Sequence, residues 1–118
     1  MKIAINKCFG GFGLSPKAIE LYLKKQGKKC FFYKQTKYAF DGGKEEYTKI
    51  SIDNLDNDLF FSVYTRDMGD IFNKHNDKYF WYESFYDKKR TDKLLIETIE
   101  ELGEDESSGS CAKIEIIE

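Results

Sequence analysis

The stretch Ile3-Ala4-Ile5-Asn6-Lys7-Cys8-Phe9-Gly10-Gly11-Phe12-Gly13-Leu14-Ser15-Pro16 decides how the chain begins to fold. Ile3 and Ile5 fall on one side of an extended segment and Ala4 and Asn6 on the other, which predicts a short strand. The glycine-rich turn that follows leads into Ser15-Pro16, a helix start with Ser15 as N-cap and Pro16 at the first helical position, where its missing N–H costs nothing. The helix is expected to run to about Gln26. Ile19, Tyr22 and Leu23 form its apolar stripe, Gly27 is a fitting terminator, and Lys24, Lys25, Lys28 and Lys29 complement the negative end of its dipole.

Working outward, the chain continues as a block of strands. Phe31-Phe32-Tyr33 reads as a strand, Asp41-Gly42-Gly43 as a turn, and Glu46 to Ile50 as the strand that pairs back. Leu59 to Thr65 and Tyr79 to Tyr82 read as two more, with Arg66 to Lys78 the least regular stretch between them. Thr91 to Gly103 carries a capping residue, the series Leu95, Ile99, Leu102 and a glycine stop, and predicts a second helix. Glu104 to Ser110 reads as an acidic loop, and the alternation of Ala112, Ile114 and Ile116 with Lys113 and Glu115 as a final strand. The order strand, helix, strands, helix, strand predicts one α+β domain over residues 1–118, with five to six strands in a mixed or antiparallel sheet and two helices on one face. The first and last strands are expected to be neighbours near the sheet centre, with the aromatic hairpins outside them.

Composition fits such a domain. The chain has 118 residues, 41% hydrophobic and 34% charged, with a formal net charge of -2. No apolar run approaches the roughly 18 residues of a membrane span, and the N-terminus reads as a strand rather than a signal peptide. The odd set Cys8, Cys30 and Cys111 has no metal-type spacing and suits a reducing compartment. The near-neutral total hides a segregation: up to Phe40 nine lysines face one acid, Glu20, so this part is about +8 and the remainder about -10. A dipolar chain of this kind could recognise an anion at one end or pack head to tail with its copies; the plainer reading is solvated surface.

Two stretches carry a resemblance. Ile5 to Ser15, and Arg90-Thr91-Asp92 through Glu100-Glu101-Leu102-Gly103 to Gly109-Ser110-Cys111-Ala112-Lys113-Ile114-Glu115-Ile116-Ile117-Glu118, resemble a family of small proteins of bacteriophage genomes and large DNA viruses. The glycine-rich sequence after the first strand and the late helix ending Glu-Glu-Leu-Gly are its marks. Relatives continue past the position of Glu118 with an acidic and aromatic tail. The resemblance implies a viral origin, and a place in the host cytoplasm or the virion; it brings no catalytic residue to this chain.

The loop from Cys8 to Ser15 is the best candidate for ligand chemistry. Gly10, Gly11 and Gly13 let backbone approach a ligand, the loop and helix N-terminus aim N–H groups at one point, and Lys7, Phe12, Ser15 and Lys17 complete a candidate site for a phosphorylated small molecule or nucleotide. It is neither a Walker loop nor a Gly-x-Gly-x-x-Gly fingerprint, and glycines there also serve close strand–helix packing. Cys8 under a helix N-terminus is a candidate nucleophile for a hydrolase, although the sixth residue after it is Leu14 rather than Arg and the chain's one histidine is His75; a buried inert cysteine is the plainer reading. Asp53, Asp56, Asp58, Asp67, Asp70, His75 and Asp77 match no calcium or zinc spacing and read as solvated loop, so neither metal nor cofactor is expected.

The aromatics suggest contacts. Phe31, Phe32, Tyr33, Phe60, Phe61, Tyr64, Phe80, Trp81, Tyr82, Phe85 and Tyr86 include neighbours that must face opposite sides of a strand, so some line a second surface or pack ordinarily within the sheet. Phe80, Trp81 and Tyr82 with Arg66 and Arg90 are the candidate partner site. Two arginines in the chain make broad nucleic-acid readout unexpected. The expected function is that of a small viral accessory or virion-associated protein acting by self-association and contacts with a viral or host protein, without catalysis. The alternatives are sequestration of a phosphorylated metabolite at the glycine-rich loop, and Cys8-dependent hydrolysis.

Overall fold

The computed structural model describes residues 2–7, 13–37, 45–55, 61–74, 76–81, 90–109 and 112–118. The α+β class is as expected: strands β1 (Ile3–Asn6), β2 (Phe31–Lys37), β3 (Glu46–Lys49), β4 (Ser62–Tyr64), β5 (Ile71–Phe72), β6 (Phe80–Trp81) and β7 (Ile114–Ile117), with helices α1 (Pro16–Lys25), α2 (Lys93–Leu102) and α3 (Glu104–Ser107). The strands form two antiparallel sheets rather than one. β1 and β7 pair with each other, as the sequence suggested, but in a two-stranded sheet of their own; the other five follow the order β5-β3-β2-β4-β6. The chain divides into two compact units, residues 1–28 with 83–118, and residues 29–82 between them in sequence. Among the described residues no helix is long and apolar enough to cross a membrane.

In the first unit the helices form where their caps place them. Ser15 Oγ accepts from Ala18 N at 3.2 Å, Pro16 occupies the first turn, and the chain leaves α1 through Gly27 at φ +77°, with Lys28 N donating to Leu23 O at 2.9 Å. That left-handed conformation favours glycine, which carries no Cβ. Asp92 caps α2 through Leu94 N, and Gly103 at φ +94° separates α2 from the single turn of α3, where the sequence suggested only a loop. α1 buries Ala18, Ile19, Tyr22 and Leu23, and α2 buries Leu95, Ile96, Thr98 and Ile99; the two helices pack together. The buried Tyr22 hydroxyl donates to Asp92 Oδ2, joining α1 to the cap of α2. On the small sheet the buried face is that of Ala4 and Ile114, while Ile3 and Ile5 are half-buried.

The second unit is built on aromatic alternation. Along β2, Phe32 and Tyr33 point to opposite faces and both are buried. On the Tyr33 face, Tyr47 and Tyr64 come alongside from β3 and β4, and Phe72 sits among the three: its ring is 4.9 Å from Tyr33 and 5.1 Å from Tyr64 edge-on, and stacked 4.7 Å from Tyr47. On the other face Phe61 meets Phe32 edge-on at 5.7 Å and Val63 is buried beside it. These aromatics satisfy one another, the ordinary-packing alternative for Tyr33, Tyr64 and Phe32. The irregular stretch after β4 folds across the Tyr33 face as a strap. The Tyr33 hydroxyl accepts from Met68 N at 2.9 Å and donates to Gly69 O at 2.8 Å. Asp67 Oδ1 accepts from Lys49 Nζ at 2.6 Å and from Gly69 N at 2.9 Å. The strap ends in β5, which sequence periodicity does not reveal.

Candidate functional site

The glycine-rich segment is tied to the stretch before β7. Gly109 N donates to Gly13 O at 2.8 Å, Leu14 bridges Ser108, and Ser15 N donates to Ser107 O at 2.9 Å. A Cβ on Gly109 would lie 3.1 Å from Gly13 O and 3.2 Å from Leu14 O, so this approach requires glycine or a shift of backbone. Both stretches that carry the resemblance therefore belong to one unit and hydrogen-bond to each other. The Ser15 hydroxyl also donates to Glu106 O at 2.6 Å, so it caps α1 and anchors α3 together.

The charges of this region are matched internally. Lys7 pairs with Glu115, Lys17 with Glu106 at 3.8 Å, Lys2 with Glu100 at 2.7 Å and Lys25 with Glu101 at 3.7 Å. Residues 1–28 carry six lysines and one glutamate, +5, and residues 83–118 carry five basic and eleven acidic side chains, -6, which leaves this unit at -1. Four ion pairs thus link lysines of residues 1–28 to glutamates of residues 83–118. Hydrogen bonds from the lysines to Glu100 and Glu115 hold Lys2 and Lys7 above the ordinary lysine pKa. At the described positions Lys7, Ser15 and Lys17, the donors aimed at an anion by the sequence reading are engaged by the chain's own carbonyls and carboxylates, while Gly13 takes part through its carbonyl, which accepts from Gly109 N. Cys8, Gly10, Gly11 and Phe12 lie outside the described residues, as do Asp56, Asp58, His75, Tyr82 and Cys111. Cys30 is half-buried.

Among the described residues no three histidine, cysteine or acidic side chains cluster as metal ligands. Asp67 serves the strap: the Lys49 ammonium, then Gly69 N–H, hold its carboxyl below the usual range.

The described partner residues chosen from sequence fall in both units. Phe80 and Trp81 are half-buried on β6, and Arg66 lies just past β4, the strand paired with β6; Arg90 belongs to the first unit, in the turn before α2. The residues that sequence reasoning missed are Lys78 and Tyr79. Arg66 Nη1 donates to the Tyr79 hydroxyl at 3.0 Å, its guanidinium carbon is 5.0 Å from the Tyr79 ring centre, and Lys78 Nζ is 5.5 Å from the same centre. No periodicity announces this cluster, because the β4–β6 pairing alone brings position 66 to position 79. Among the described residues two large apolar side chains stand out on the surface, Ile71 on β5 at 58% exposure and Ile117 on β7 at 41%. No family model, no curated protein and no solved structure matches the chain.

Proposed function

We propose that this chain is a small accessory or virion-associated protein of viral origin that acts by binding, through self-association and contacts with protein partners, rather than by catalysis. The viral origin rests on the resemblance of the two stretches joined at Leu14 and Ser108. The observation that carries the binding reading is Ile71, 58% exposed on the terminal strand of the five-stranded sheet. Lys49 N donates to Asp70 O at 2.8 Å, and Thr48 is the register partner of Ile71. In an antiparallel ladder hydrogen-bonded and non-bonded pairs alternate, so the Ile71 N–H and C=O point away from β3. An apolar side chain beside outward main-chain groups is the elementary equipment for strand-edge contact. A second copy meeting this edge about a two-fold axis buries both isoleucines and closes the assembly as a dimer.

Sedimentation equilibrium of the wild type and of Ile71→Lys tests this. The wild type is expected to associate with rising concentration, and Ile71→Lys, which sets an ammonium in the edge contact, to remain at the 13.8 kDa monomer mass. A monomeric wild type, or equal association of the two, overturns the proposal.

A further inference from the structure

Beyond that edge, the cluster at the opposite end of the strand order has the chemistry of an anion site. Its geometry is fixed by backbone. Thr65 N donates to Tyr79 O at 2.8 Å, which sets Arg66 beside Tyr79; Lys78 N donates to Asn76 Oδ1 at 3.0 Å and Phe80 N to Asn76 O at 3.1 Å, which set the turn presenting Lys78. An arginine has only donors, so the 3.0 Å contact runs from Arg66 to the phenol oxygen and leaves the phenol hydrogen to bond outward. The result is a guanidinium, an ammonium and an O–H gathered around one half-buried ring. Asp67, the nearest acid in sequence to Arg66, is directed to Lys49. Among the described residues neither Arg66 nor Lys78 has a carboxylate partner. The two cations hold the Tyr79 phenol below its usual pKa, the Arg66 hydrogen bond being the larger cause.

We propose that Arg66, Lys78 and the Tyr79 hydroxyl form a binding site for a phosphate monoester dianion. Two positive charges match its charge of about -2, and its terminal oxygens accept from the arginine fork, the ammonium and the phenol together. A carboxylate would neutralise only one of the cations. The -1 balance of residues 29–82, eight basic side chains against nine acidic, disfavours a polyanion such as nucleic acid, whose binding needs a basic face rather than one clamp. The dianion has two sources, a free phosphorylated metabolite or a phosphorylated side chain of a protein.

The test is an NMR titration of the amide resonances with phenyl phosphate at constant ionic strength, repeated with a phosphotyrosine peptide. Saturable shifts are expected at residues 65–66 and 76–79, weakening as pH falls through about 6, where the dianion takes up a proton and becomes a monoanion. Arg66→Gln should weaken binding about tenfold and Arg66→Lys less, because lysine keeps the charge and loses the fork. Lys74→Gln, an exposed lysine outside the cluster, should leave it unchanged. Equal affinity for the two probes assigns the site to free phosphate esters, and markedly tighter peptide binding assigns it to a phosphoprotein. Shifts that rise linearly without saturation, or that persist at full strength in Arg66→Gln, overturn the proposal.

Discussion

Raising pH from 10 to 12 should destabilise this protein through Tyr64. The side chain is fully buried, and burial first, then the charges of Tyr47, Asp77, Glu45 and Tyr33, push its phenol from 10.0 up to about 12. Below pH 10 both folded and unfolded chains hold the proton, and Tyr64 makes stability independent of pH. Between 10 and 12 the unfolded chain releases it while the folded chain keeps it, so the unfolded state binds fewer protons and stability falls as pH rises. Every tenfold difference in proton affinity between the two states is worth about 1.4 kcal/mol, so the loss across this window is about 3 kcal/mol, a large share of the roughly 5–15 kcal/mol that holds a domain. Burial raises Tyr33 and Tyr47 as well, with the same sign. The raised lysines Lys2, Lys7 and Lys49 also lose their contribution as pH climbs through their folded values, but these are exposed surface pairs. Tyr64→Phe isolates the tyrosine: urea unfolding followed by circular dichroism should show a slope near pH 11 shallower than wild type by about 1 kcal/mol per pH unit. Equal slopes in the two proteins, or a folded wild type whose tyrosines all ionise near 10, would refute the reasoning.

Other outcomes follow from the first unit. Tyr22→Phe deletes the donor to Asp92 and should cost about 1.5–3 kcal/mol in urea unfolding, while Asp92→Ala should cost about 1 kcal/mol more because the α2 cap goes too; a neutral Tyr22→Phe contradicts this. Gly109→Ala forces its Cβ against the Gly13–Leu14 backbone and should lower stability by about 1–3 kcal/mol, read as a drop in thermal midpoint. Ser107 is fully buried and its hydroxyl has no hydrogen-bond partner among the described residues, so Ser107→Ala should leave stability unchanged or raise it by about 1 kcal/mol. A clear loss there would reveal a partner for the hydroxyl.

Local chemistry is legible wherever one residue type sets the backbone. Ser15-Pro16, Gly27 and Gly103 mark helix ends because caps act within a turn of the residue that supplies them. The pairing of β1 with β7 is legible too. Its separation from the aromatic strands is not, since partner choice depends on contacts distant in sequence. β5 is two residues long, too short for a period to register, and is held by the strap through Tyr33 and Lys49 rather than by its own pattern. The charge segregation is visible in the sequence, but its consequence depends on Lys2, Lys7, Lys17 and Lys25 meeting acids 76 to 108 residues away. Arg66 stands out for its charge; the phenol and ammonium that make it a cluster come from the far side of an irregular stretch.

The most direct test of the binding account is hydrogen exchange at the Ile71 amide, which faces away from β3, measured at increasing protein concentration. Association through the β5 edge predicts that this amide becomes progressively protected while that of Lys49, already bonded to Asp70, does not change in step. An Ile71 amide that exchanges equally fast at every concentration would contradict the account.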